Sequence, residues 1–121
     1  MAYVEDSEGD AAARAAVAEA VLRAEPLVAV SALRDQRLDP QKVRQHLEAI
    51  TPDAAGLDIT DVTPDLHDPS DAIIQEAQRE NATLIVVGLH RRSRVGKMLL
   101  GSTAQRILLE ATCSVLAVRS E

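Results

Sequence analysis

The chain has 121 residues, 46% of them apolar, which suits one compact domain with a real core. Its only aromatic residue is Tyr3, so the core must be made of Leu, Ile, Val and Ala, and single-strand nucleic-acid binding on stacked aromatic faces is excluded. A formal charge of −6 argues against attraction to nucleic acid or an anionic membrane, and the longest apolar runs, 27–33 and 84–89, fall short of the roughly 20 residues a transmembrane helix needs.

The first residues, Met1-Ala2-Tyr3-Val4-Glu5-Asp6, carry neither the basic nor the long apolar stretch of a signal peptide. Residues 2–4 read instead as a short buried strand. A single cysteine, Cys113, has no partner for an internal disulfide and reads as a small buried thiol. A soluble protein in the reducing cytoplasm is the expectation. From Asp10, a candidate cap, a helix is predicted to about Ala24, with Ala13, Val17 and Val21 on its apolar face. Residues 27–33 give a second buried strand. Asp39-Pro40 is an N-cap followed by proline at the first helical position, ahead of Val43, Leu47 and Ile50.

Residues 57–63 form the weakest strand pattern, half polar and suited to a sheet edge. Asp68-Pro69-Ser70-Asp71 repeats the helix-start signal before Ile73, Ile74 and Ala77. A buried strand follows at 83–87. Ser102-Thr103-Ala104-Gln105 has capping-box spacing, with Ile107, Leu108 and Ala111 as the stripe behind it. The last strand covers 113–118. Strand alternating with helix implies an α/β fold with a five-stranded parallel sheet, helices on both faces and right-handed crossovers. Ligands of such sheets bind beyond the carboxyl ends of the strands, which directs attention to 5–9, 31–35 and 88–102.

The last of these segments is the most informative. Arg91, Arg92, Arg94 and Lys97 fall within seven residues, and the segment ends at a helix start whose free N–H groups favour an anion. A phosphate site and a merely solvated basic loop are both compatible with this. The hydrolase-type P-loop is absent, because Gly96-Lys97 has Arg91 where that motif needs glycine and Met98 where it needs Ser or Thr. No Gly-x-Gly-x-x-Gly follows the first strand. No nucleophile, base and orienting group can be assembled, so no enzyme is expected. His46 and His67 have no partner at metal-ligand spacing and read as structural or surface residues.

Residues 83–118 resemble the C-terminal half of the universal stress protein family, the UspA type. Its ATP-binding branch carries a glycine, two residues, a second glycine, nine residues, then glycine with Ser or Thr. Gly88 matches the first glycine and Gly101-Ser102 the last pair, and His90 fits a histidine found between the first two glycines. Arg91 replaces the second glycine. The resemblance extends over the whole chain, with Glu5-Asp6-Ser7 standing where relatives have Asp-Gly-Ser and either Glu5 or Asp6 in the aspartate's place.

The resemblance implies a three-layer α/β/α fold, strand order 3-2-1-4-5, as in the open flavodoxin-like sheets and adenine-nucleotide alpha-hydrolase-like proteins. It also implies a stress-response regulator that binds ATP, with Mg²⁺, as a regulatory ligand. Gly88, Gly101, Ser102 and Thr103 would surround the phosphates, with Arg91 and Arg92 as clamps on phosphate or on an acidic surface. Asp6, with Glu5 as the alternative, would face the ribose, Ser7 would belong to the same nucleotide site, and adenine would rest near Ser31. The strand 113–118 is predicted at an apolar edge, where an uncovered ladder invites a partner, and a homodimer through it is expected. The alternative is a dimeric interaction module of the same fold that has lost ATP and meets an unidentified protein partner. Slow ATP hydrolysis is a third reading.

Charge is unevenly divided. Residues 1–80 carry 17 acids and 7 bases, net −10, whereas 81–121 carry 2 acids and 6 bases, net +4. The overall value conceals an anion-ready C-terminal third.

Overall fold

A computed structural model of the chain describes residues 1–3, 7–31, 39–62, 68–89 and 101–119. Its elements in chain order are β1 (Ala2–Tyr3), α1 (Ser7–Arg23), β2 (Leu27–Ser31), α2 (Pro40–Ile50), a single 3-10 turn (Pro52–Ala54), β3 (Ile59–Val62), α3 (Pro69–Arg79), β4 (Leu84–Leu89), α4 (Ser102–Glu110) and β5 (Ser114–Arg119). The strands form two parallel ladders, β1-β2-β3 and β4-β5, and β1 packs beside β4. The weakly patterned β3 is the outer strand of its ladder, as its half-polar sequence predicts.

Successive residues of a strand point to opposite faces, and the two cores follow that alternation. Leu27 and Ala29 of β2, Leu84 and Val86 of β4, and Leu116 and Val118 of β5 pack with α1 and α2. Their neighbours Val28, Val30, Ile85, Val87, Val115 and Ala117 pack with α3 and α4. The alanine-rich face of α1, with Ala12, Ala13, Ala16 and Ala20 around Val17, is fully or nearly buried, which small side chains permit by letting the helix lie close to the sheet.

Several expected details change. Helix α1 starts at Ser7, so Asp10 lies inside its first turns and caps nothing; it meets His46 instead. Val21 is 49% exposed. Steps of four residues advance a helix by about 40° beyond a full turn, so Val21 has drifted about 80° from Ala13 and off the buried stripe. Leu108 follows the fully buried Ile107 and is 41% exposed, because consecutive residues of a helix lie about 100° apart around its axis. Gly88 sits within β4, opposite Val118, so the strand runs past the expected end at residue 87. Residue 4, residues 32–33 and residue 63 of the expected strands lie outside the described residues.

Helix starts α2 and α3 obey their sequence signals. Asp39 accepts a hydrogen bond from the Gln41 N–H at 3.0 Å and Asp68 accepts one from the Ser70 N–H at 2.8 Å, each ahead of a proline at the first helical position. Helices α1 and α3 end alike, each on a non-glycine residue in the left-handed region, Ala24 (φ 54°) and Asn81 (φ 52°). In both, two reversed hydrogen bonds close the end: Ala24 to Val21 and Glu25 to Ala20, Asn81 to Gln78 and Ala82 to Ala77. This is the Schellman arrangement, which satisfies the last carbonyls of the helix.

Candidate functional site

Parallel strands send all their carboxyl ends to one side of the sheet, and the helices that follow start there. Of the predicted site residues, Ser7 opens α1, Ser31 is the last residue of β2, Gly88 is next to last in β4, and Gly101, Ser102 and Thr103 form the start of α4. Ser31 is the ladder partner of Tyr3, so the ends of β1 and β2 are adjacent. The topology thus places Ser7 and Ser31 at the carboxyl end of one ladder and Gly88, Gly101, Ser102 and Thr103 at that of the other. Glu5, Asp6, His90, Arg91 and Arg92, like Arg94 and Lys97, lie outside the described residues.

The helix starts on this side are not equivalent. At α2 and α3 an aspartate carboxylate already occupies the first N–H groups. At α4 the N-cap is Gly101, with extended backbone (φ −61°, ψ 156°) and no side-chain cap hydrogen bond. Ser102 was expected as that cap and is instead the first helical residue. Gly101 contributes its carbonyl, which accepts from the Gln105 N–H at 2.9 Å, and no side chain. Among the described residues, no capping side chain therefore engages the N–H groups of the first turn of α4, where the positive end of the helix dipole lies.

Electrostatics sharpen the contrast. The Ser70 side chain donates to Asp68, and this, with the Ser70 and Asp71 N–H groups and the nearby Arg106 guanidinium, holds the Asp68 carboxyl below its ordinary range. Arg106, on α4, also pairs with Asp71 and with Glu110 one turn on, so its own pKa is raised. This cluster ties the start of α3 to α4. The spacing of Arg106 and Glu110 was legible as a helical pair, whereas the reach to Asp68 and Asp71, across 38 and 35 positions, was not. His46 and Asp10, 2.7 Å apart, join α2 to α1, so the structural reading of His46 holds. His67 lies outside the described residues. Among the described residues no group of three or more His, Cys, Asp or Glu side chains is placed to hold a metal ion, and no helix is long and apolar enough to cross a membrane.

These features define an α/β protein with parallel strands. Residues 1–119 match the sequence profile of the Universal stress protein family, and the chain belongs to that family. A universal stress protein of Thermus aquaticus, encoded beside a sulfhydrylase, is 47% identical over 51 residues, 42% of this chain and 37% of that protein. The matched part thus spans well under half the length of that curated relative. In three dimensions the chain is similar to a universal stress protein of Archaeoglobus fulgidus, with TM-score 0.75, 25% identity, and 98% of this chain and 93% of that one covered. It is also similar to the Archaeoglobus fulgidus protein in complex with dAMP (TM-score 0.67, 22% identity, 98% and 92% covered) and to a universal stress protein in complex with cAMP (TM-score 0.70, 23%, 99% and 94%).

Proposed function

We propose that this universal stress protein binds an adenine nucleotide at the carboxyl end of its sheet and acts as a non-catalytic regulator of the stress response. The observation that carries the reading is the start of α4, where Gly101 leaves the N–H groups of Ser102 and Thr103 without a capping side chain while the aspartates of α2 and α3 close theirs. The complexes of similar folds with dAMP and cAMP support an adenine ligand. In this reading Gly88, Gly101, Ser102 and Thr103 surround the phosphates, with Arg91 and Arg92 adding charge. Asp6, with Glu5 as the alternative, faces the ribose, and adenine rests near Ser31 on aliphatic walls, since Tyr3 is the chain's single aromatic residue. ATP with Mg²⁺ is the preferred form.

The two ladders then form one sheet of order 3-2-1-4-5 between two helical layers. The molecule pairs with a second copy through the edge of β5, which among the described elements has a ladder partner only in β4. Calorimetry with ATP and Mg²⁺ tests the ligand: saturable heat and a thermal shift support it, and neither at millimolar ligand overturns it. A dimerised interaction module without nucleotide is the second reading, favoured by Arg91 at the family's second motif glycine. It predicts that Arg91→Gly creates ATP binding where the native chain has none.

A further inference from the structure

The start of α4 is not fixed by its cap. Gly101 supplies no side chain there, and the buried Ala104 and Ile107 hold the helix on the sheet through apolar contacts that have no preferred direction. A directional tie comes from Arg106, about one turn along from Ser102. Its guanidinium engages carboxylates with all three nitrogens: Nη1 donates to Asp68 at 3.1 Å, Nη2 pairs with Asp71, and Nε donates to Glu110 at 2.7 Å.

Two of those carboxylates stand at the start of α3, which is itself held firmly. Asp68 caps that helix, and Ser70 and Ile73 behind it are each only 2% exposed. Side chains of a helix lean toward its amino end, and the fork of Arg106 meets the start of α3, so it reaches back along α4 toward the turn that carries Ser102 and Thr103. A planar fork on two carboxylates restricts both distance and rotation, which the point charge of a lysine does not. Arg106, Asp68 and Asp71 are 41–45% exposed, and ion pairs in so much water contribute little to stability. Three carboxylates around one guanidinium leave the cluster negative, so it draws no phosphate by charge. What it supplies is geometry.

We propose that Arg106 is a positioning residue of the nucleotide site: forked onto Asp68 and Asp71, it locks the start of α4 against α3 in the orientation that receives the phosphates. This role rests on the nucleotide reading of the α4 start and names the residue that pre-organises it. A helix start held in place before the ligand arrives needs no ordering on binding, and a displacement of about 1 Å is enough to lose most of that gain. When Asp68 alone is lost, Arg106 keeps Asp71 on α3, so the requirement falls on the arginine and not on that one partner.

The test uses the full chain with ATP and Mg²⁺ and two variants that keep the native net charge. Arg106→Lys retains the cation and loses the fork, and Arg106→Met with Asp71→Asn removes one charge of each sign. At a temperature where every chain is folded, calorimetry should show affinity lower by about tenfold in both. Arg79→Lys, in an ion pair at the last turn of α3, should stay within about twofold of the native chain. In the ligand-free variants, hydrogen exchange should speed up several-fold at the Gln105 amide, whose bond to the Gly101 carbonyl closes the first turn of α4. If one variant does not fold, the other decides. Affinity within about twofold of native in either folded variant, or lost affinity with Gln105 exchange unchanged, overturns the role of Arg106 alone. A native chain that binds no ATP at millimolar ligand overturns the nucleotide reading and this role with it, so the two failures are told apart.

Discussion

Helices α3 and α4 pack against the same face of the sheet and start on the same side of it, yet their first turns are chemically opposite. Asp68 puts a carboxylate on the first N–H groups of α3, held there by Ser70 and Arg106, and Asp39 does the same for α2. Gly101 puts nothing on those of α4. A helix start that is already neutralised gains little from a phosphate, and its aspartate repels one. What decides which of several helix starts takes an anion is thus one side chain, not the dipole that all of them share.

The comparison rests on α4 being fixed in place, and Ile107, fully buried, is its anchor. Ile107→Ala should cost about 2–5 kcal/mol in chemical denaturation and loosen the whole α4 start, whereas Leu109→Ala, at a position 77% exposed, should change stability by less than about 0.5 kcal/mol. Making α4 resemble its neighbours is the sharper intervention. Gly101→Asp fits the extended backbone of that position, should stabilise the chain by a few tenths of a kcal/mol as a cap, and should lower nucleotide affinity at least about tenfold by calorimetry. If affinity stays unchanged, the α4 start is not the phosphate site.

At the self-capped starts the effects are smaller and concern stability alone. Asp39→Ala should cost about 1 kcal/mol and leave nucleotide affinity intact. Asp68→Ala should destabilise more than Asp39→Ala, because it also releases Arg106. Since the Asp68 carboxyl titrates lower in the folded chain than in the unfolded one, its contribution is present above the ordinary carboxylate range and fades as pH falls through the folded value. The gap between native chain and Asp68→Ala should therefore narrow on acidification. At the far end of the sheet, Ala24 holds a left-handed backbone that glycine adopts freely, and Ala24→Gly should raise stability by up to about 1 kcal/mol in thermal melts with no effect on ligand.

Much of this was legible in the sequence. Capping aspartates followed by proline marked α2 and α3 because a cap is a local interaction between adjacent residues. Runs of Val, Ile and Leu marked β2, β4 and β5 because buried parallel strands need apolar side chains on both faces. Capping-box spacing points to Ser102 as the cap because it reads side chains alone, whereas the extended backbone of Gly101 sets the helix start one residue earlier. The bond between His46 and Asp10 and the reach of Arg106 to Asp68 join residues far apart in the chain, and no local pattern encodes them.

The central contrast can be read directly from backbone amides. In an isotope-labelled sample titrated with ATP and Mg²⁺, the account predicts saturable amide shifts at Ser102 and Thr103, with those of Gln41, Ser70 and Asp71 unmoved. Equal shifts at all three helix starts, or shifts at α2 and α3 with α4 silent, would contradict it.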